Sequence, residues 1–224
     1  MHTLHQQIAG SNFMIAFATA EGLLLDIISD PSFSEASNAA NIRPGAVWTE
    51  NICGTNGLGT AAHLKRAIVV HGRDHFFSRY NNLTCIAAPI FAPDGELTGI
   101  LDASSDCMSR QAHTQALVAM AATQIENGLF REHHRGNILI AFHNRGEYLH
   151  TLSAGLLAVD NEGRILAANR AAGILLHGLV GYDAQPAGMQ MLFYVVVLVA
   201  IAVGMWWVTP RSSPKAQRPM SASR

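Results

Sequence analysis

The spacing of apolar residues changes character along this chain, and each change predicts a different element. In residues 11–28, SNFMIAFATAEGLLLDII, an apolar run, a small polar turn at Thr19 to Gly22 and a second apolar run predict a β-hairpin. AIVVHG at 67–72 and LTCIAAPIFAPDGELTGILDAS at 83–104 repeat that grammar, with Pro93, Asp94 and Gly95 supplying a pre-set φ and then a glycine for the turn. From Arg110 the period lengthens. Leu117, Met120, Ala121, Ile125 and Leu129 recur at three- and four-residue spacing, while Gln115, Gln124, Glu126 and Arg131 fall between them, which predicts one long amphipathic helix. Without any internal repeat to divide it, the stretch 1–133 reads as a single α+β domain built on an antiparallel sheet flanked by helices.

Beyond it the pattern is less regular. Residues 134–149 have mixed character and read as a linker. AGLLAVDNEGRILAANRAAGILL, 154–176, then gives a strand, a turn at Asn161-Glu162-Gly163, a second strand and a short helix with Asn169 near its start, before HGLVGYDAQPAG dissolves the pattern. Half a sheet has an open edge and little core, so residues 150–188 are expected to be loosely packed or to lean on the long helix. MQMLFYVVVLVAIAVGMWWV, Met189 to Val208, carries no charge. About twenty helical residues at ~1.5 Å each cover a hydrocarbon core of ~30 Å, so it is expected to be a C-terminal apolar transmembrane helix with Trp206 and Trp207 at the interface. Residues 209–224, with Arg211, Lys215, Arg218 and Arg224, form an expected basic, disordered tail. Two alternatives stand beside the span: a buried core helix, or a fusion of a truncated upstream protein with a small membrane protein starting at Met189 or Met191.

Composition narrows the partners. At 224 residues the chain holds one full domain with a core and a fragment of another, and a formal net charge of -1 provides no global field for nucleic acid or an anionic membrane surface. Cys53, Cys85 and Cys107 are odd in number with no C-x-x-C pair, and MHTLHQQIAG lacks the basic-then-apolar pattern of a secretion signal. The expectation is a cytoplasmic protein, tethered to the inner membrane by 189–208.

WTENICGTNGLGTA, Trp48 to Ala61, resembles a phosphate cradle at first sight. A P-loop started at Gly54 places Thr60 where lysine must neutralise the phosphates and Ala61 where a hydroxyl must hold magnesium, and the dinucleotide fingerprint fails at Ala62. Neither motif is present, and no cofactor is called for. His71 and His75 sit four apart, but Gly72 and the strand-like residues before it argue against a helical zinc pair, and no third ligand is evident. No metal site and no catalytic residue are assigned.

Four blocks in order, RPGAVWTENICGTNGLGTAAH, AIVVHGRDHFF, LTCIAAPIFAPDGELTGILDASSD and HTQALVAMAATQIENGLF, resemble the sensory GAF domain of the acetoin-catabolism-regulator-like group of bacterial sigma-54-dependent activators. The segment from 150 resembles the opening of the PAS domain that follows GAF in those regulators. The chain shows neither the ATPase nor the helix-turn-helix region of that family. The resemblance implies a small-molecule-sensing regulatory fragment that neither hydrolyses ATP nor binds promoter DNA, and whose 110–135 helix pairs two copies into a homodimer. It also implies that the glycine-rich block is the lid or wall of an effector pocket. The candidate ligand-binding residues are Trp48, Asn56, Gly57, His71, Phe76 and Cys85. For each a structural alternative stands: tight turns for the glycines, core for Trp48, core or pocket wall for Phe76 and Phe77, and a buried inert thiol for Cys85. Asp102 reads as a cap at the end of a strand. The rival function is a GAF-fold thiol enzyme that reduces free methionine sulfoxide, using Cys53, Cys85 or Cys107.

Overall fold

A computed structural model of the chain describes Leu4, Gln6, residues 13–33, 41–106 and 112–180, and Val195, Val196 and Val199. Strands β1 (Phe13–Thr19), β2 (Leu24–Ser29), β3 (Ile68–His71), β4 (Thr84–Phe91) and β5 (Leu97–Ser105) form one antiparallel sheet in the order β2-β1-β5-β4-β3. Both predicted hairpins are present. The longest strands lie in the centre and are apolar at nearly every position because both faces of the sheet are covered, and side chains in a strand point alternately to the two faces. Phe13, Ile15, Ile86, Ala88, Ile90, Leu101 and Ala103 face one way. Met14, Ala16, Ala18, Cys85, Ala87 and Ile100 face the other.

Helix α1 (Glu50–Cys53) and helix α2 (Gly57–Leu64) cover the second face, and helix α3 (Ala112–His133) covers the first. The predicted long helix is therefore present, with a shifted stripe. Leu117, Val118, Ala121, Ala122 and Ile125 pack on the sheet, whereas Met120 is 54% exposed and Leu129 also faces solvent.

A second antiparallel sheet follows, of β6 (Ile138–Phe142), β7 (Gly155–Val159) and β8 (Ile165–Ala168), in the order β6-β7-β8, with helix α4 (Arg170–Val180) after it. Strand β6 lies inside the stretch read as a linker. Its five residues, ILIAF, are all apolar yet mostly exposed, and a short apolar run without alternation does not by itself mark a strand. The small sheet leans on α3: Leu156 and Ala158 pack against Phe130, and Asn169 Nδ2 donates to Asn127 Oδ1 at 2.9 Å. Both sheets lie within the compact unit Met1–Tyr182. Among the described residues no helix is long and apolar enough to cross a membrane. The expected span at 189–208 falls outside the described residues apart from helical Val195, Val196 and Val199, and the basic tail 209–224 lies wholly outside them.

Candidate functional site

On the second face of the first sheet, the chain after β2 is strapped back onto the β1–β2 turn. Trp48 N–H donates to the Gly22 carbonyl at 2.8 Å and Leu24 N–H to that of Ala46 at 2.9 Å. This strap fixes Trp48 in the core, where its ring meets Tyr80 at 5.1 Å between centroids. Beside the pair opens a cavity of about 340 Å³ lined by Asn41, Ala46, Val47, Trp48, Ile52, Cys53, Arg79 and Tyr80. Arg79 holds its guanidinium over two rings, 4.8 Å from Tyr80 and 4.9 Å from Phe77. Stacking of this kind orders a cation and leaves its N–H groups in plane to donate. Aromatic walls, one cation and an amide suit a small oxygen-bearing molecule, and the volume is at the lower end for such sites.

The glycine block forms the floor next to this cavity. Gly54, at φ 62°, closes α1 in a conformation that side chains rarely adopt. Asn56 is fully buried and caps α2: its Oδ1 accepts from Gly59 N–H at 2.8 Å and its Nδ2 donates to the Gly54 carbonyl at 2.7 Å. Its polar atoms face the block itself. A Cβ on Gly57 would lie 2.7 Å from Cys85 Cβ and 2.8 Å from Asp102 Oδ1, so glycine here brings the start of α2 down onto the sheet. Asn56→Ala is expected to cost about 1–2 kcal/mol through the lost cap, measured by urea denaturation.

Beneath α2 lies a buried polar cluster. His75 Nδ1 donates to the Gly72 carbonyl at 2.9 Å, which leaves Nε2, 3.3 Å from Cys85 Sγ, to accept from the thiol. Burial pushes the His75 pKa down and the Cys85 thiol strongly up. The pair is thus a neutral imidazole and a neutral thiol, the opposite of an activated thiolate. Burial also raises the Cys53 thiol. Neither described cysteine is activated, and Cys107 lies outside the described residues. Asp102 is 2% exposed; its Oδ2 accepts from Ser104 Oγ at 2.6 Å, and among the described residues its Oδ1 has no hydrogen-bond partner. Burial lifts its pKa to about 7. It sits in the interior of β5, opposite Ala16 and Ala87, and not at a strand end as its sequence context had indicated.

The sequence-derived residues thus separate. Trp48 lines the cavity; Asn56 and Gly57 form the block behind it; Cys85 belongs to the buried cluster. His71 turns away from His75 because Gly72, at φ 54°, ends the strand, and its Nδ1 pairs with Thr84 Oγ1 at 2.8 Å. Phe76 is 71% exposed and lies over Gly54, so it is not core. The residue that does reach His75 is Cys85, a neighbour that sequence distance had hidden. Among the described residues no three His, Cys, Asp or Glu side chains cluster to hold a metal. Arg79 and Tyr80 were missed, since a short 3-10 turn at Ser78–Tyr80 has no periodicity to mark its buried side. The aromatic cluster Phe76, Phe77, Tyr80 around one arginine was the available signal.

The GAF domain family profile matches residues 1–129. The acetoin catabolism regulatory protein of Cupriavidus necator is 33% identical over 185 residues, which is 81% of this chain and 28% of that protein. The signal-transduction and transcriptional-control protein of Clostridium beijerinckii is 29% identical over 177 residues, 79% of this chain and 28% of that protein. The chain thus spans just over a quarter of the length of these curated relatives. In the crystal structure of the E. coli DhaR(N)–DhaL complex, one chain shares the fold at a TM-score of 0.58 and 20% identity, over 79% of this chain and 60% of that chain.

Proposed function

Since the chain belongs to the GAF domain family and its relatives are transcription regulators, we propose that it is a non-enzymatic, small-molecule-sensing input region of a sigma-54-dependent type of activator. The observation that carries this reading is the Trp48–Arg79–Tyr80 cavity on the face of the sheet left free by α3. The effector is a small oxygenated metabolite whose carbonyl or hydroxyl accepts from Arg79 while its carbon skeleton lies against Trp48; the first relative's connection with acetoin catabolism makes ketones and diols the first to try. Asn56 and Gly57 support the cavity indirectly, by fixing the turn between α1 and α2, while Cys85, His71 and Phe76 do not line it.

In the same reading residues 1–133 are the sensor domain, and 150–188, with β7, β8 and α4, are the opening of a PAS-like module after a 134–149 connection. In this reading the chain itself neither hydrolyses ATP nor binds promoter DNA, and any regulatory effect comes from pairing with other subunits through α3. The exposed Met120 on α3 supplies an apolar contact for a homodimer through this helix. Met120→Lys is expected to shift a dimer towards monomer in light scattering at micromolar concentration, with secondary structure unchanged. The neutral state of Cys53 and Cys85 favours binding over thiol chemistry, and no turnover of free methionine sulfoxide is expected.

A thermal-shift screen of small ketones, diols, acids and phenols tests the proposal. A true effector at a hundred times its dissociation constant adds roughly 2.7 kcal/mol of stability. That gain should vanish in Arg79→Ala. A screen in which every gain survives this substitution would place the binding elsewhere.

A further inference from the structure

A second cavity lies where the turn after β4 and helix α3 meet the small sheet, and shares no lining residue with the Trp48 cavity. It holds about 640 Å³, well inside the range of small-molecule sites. Its apolar floor comes from Phe91, Phe130, Leu152 and Ile174. Five polar side chains share it: Thr123, whose hydroxyl donates to the Ala119 carbonyl, and Glu126, Asn127, Asn169 and Arg170.

Asn169 is fully committed to the protein. Its Oδ1 accepts from the N–H groups of Leu156 and Ala172, both at 2.8 Å, and its Nδ2 donates to Asn127 and to the Ala154 carbonyl. Glu126, Asn127 and Arg170 are not. Glu126 Oε1 accepts from Phe91 N–H at 3.0 Å, and among the described residues Oε2 has no hydrogen-bond donor. Asn127 uses its Oδ1 for Asn169, and among the described residues its Nδ2 has no acceptor. Arg170 has its guanidinium 5.8 Å from the Phe91 ring centroid and no carboxylate within ion-pair distance among the described residues. Burial raises the Glu126 pKa in spite of Arg170 nearby, as expected for an acid beside an apolar floor.

We propose that this junction cavity is a second ligand site, selective for an uncharged molecule with a compact apolar body and one hydroxyl group. The hydroxyl donates to Glu126 Oε2 and accepts from Asn127 Nδ2 or Arg170, and the body covers Phe91, Phe130 and Ile174. The site carries one acidic and one cationic side chain, so a carboxylate that pairs with Arg170 is repelled by Glu126, and an ammonium that pairs with Glu126 is repelled by Arg170. A neutral donor-acceptor satisfies both. A bound molecule would bridge β4 and α3 of the first sheet's layer to α4, the parts that Asn127 and Asn169 already join. The proposal stands independently of the Trp48 cavity.

The test uses ¹⁵N-labelled full-length chain titrated with cyclohexanol, with methoxycyclohexane and cyclohexanecarboxylate as comparators. Cyclohexanol is expected to shift the Phe91 backbone amide and the Asn127 and Asn169 side-chain amides in a saturable manner. Methoxycyclohexane, which cannot donate to Glu126, should bind about tenfold more weakly, as should the carboxylate. Ile174→Trp, placed at an exposed position where it fills the cavity, should abolish the shifts, while Arg79→Ala leaves them intact. Absence of saturable shifts in the unsubstituted chain, equal affinity for the ether, or loss in Arg79→Ala with retention in Ile174→Trp would each overturn the proposal.

Discussion

Between about pH 4 and pH 7 the stability of the chain should fall relative to that of an Asp102→Asn variant, by up to about 4 kcal/mol. Asp102 is buried in the interior of β5 with Oδ1 unpartnered among the described residues, and its pKa is raised from 3.8 to about 7. A carboxyl raised in the folded state favours folding while both states are protonated, below about pH 4. As pH rises the unfolded chain releases the proton and the folded one cannot, so the contribution is lost progressively until the folded group itself ionises near pH 7. Asparagine keeps the acceptor for Ser104 Oγ and removes the titration. The comparison has to be a difference between the two proteins, because buried His75 acts with the opposite sign. Its pKa is lowered from 6.5, so its contribution is present above that pH and is lost as pH falls. Urea denaturation of both proteins across this range measures the difference. A constant gap between the two curves would show that Asp102 is solvated and ionised like a surface acid.

Gly57→Ala should destabilise the protein by about 3 kcal/mol, although alanine is the better helix former by up to about 1 kcal/mol. The new methyl would lie 2.7 Å from Cys85 Cβ on the sheet and 2.8 Å from Asp102 Oδ1, and the side chains it meets are themselves buried. Overpacking at a site bounded by a strand forces α2 outward. Gly128→Ala in α3 is the control: its Cβ meets nothing within 4 Å, so there the propensity gain should appear alone, at roughly 0.5–1 kcal/mol. Opposite signs for two glycine-to-alanine changes in helices would separate close approach from intrinsic propensity. A stabilised Gly57→Ala protein would mean that α2 does not sit so close to the sheet.

Much of this architecture was written in hydrophobic spacing: the central strands, covered on both faces, read as short apolar runs broken by turn residues, and α3, buried along one stripe, keeps a helical period. Strand β6 escaped because ILIAF is a short apolar run without alternation, and the stripe of α3 was misread at Met120 and Leu129 because spacing cannot tell a buried apolar residue from an exposed one. The site was less legible. Trp48 was recognisable as a large ring beside a loop, but Arg79 and Tyr80 reach it from a turn 31 or more positions away in the chain, and only folding makes them neighbours. Asn56 shows the reverse difficulty. A polar residue in a glycine loop looks like a ligand contact, yet its oxygen and nitrogen are both engaged by the turn that starts α2.

The central claim is that the Trp48–Arg79–Tyr80 cavity senses a small oxygenated molecule. Isothermal titration of acetoin, and of any compound that raises the melting temperature, into the unsubstituted, Trp48→Phe and Arg79→Ala proteins tests it most directly, provided that circular dichroism shows all three folded. The account predicts one site per chain, weakened at least about tenfold in Arg79→Ala by loss of the charge-assisted hydrogen bond and measurably in Trp48→Phe. Unchanged affinity in both folded variants would contradict it.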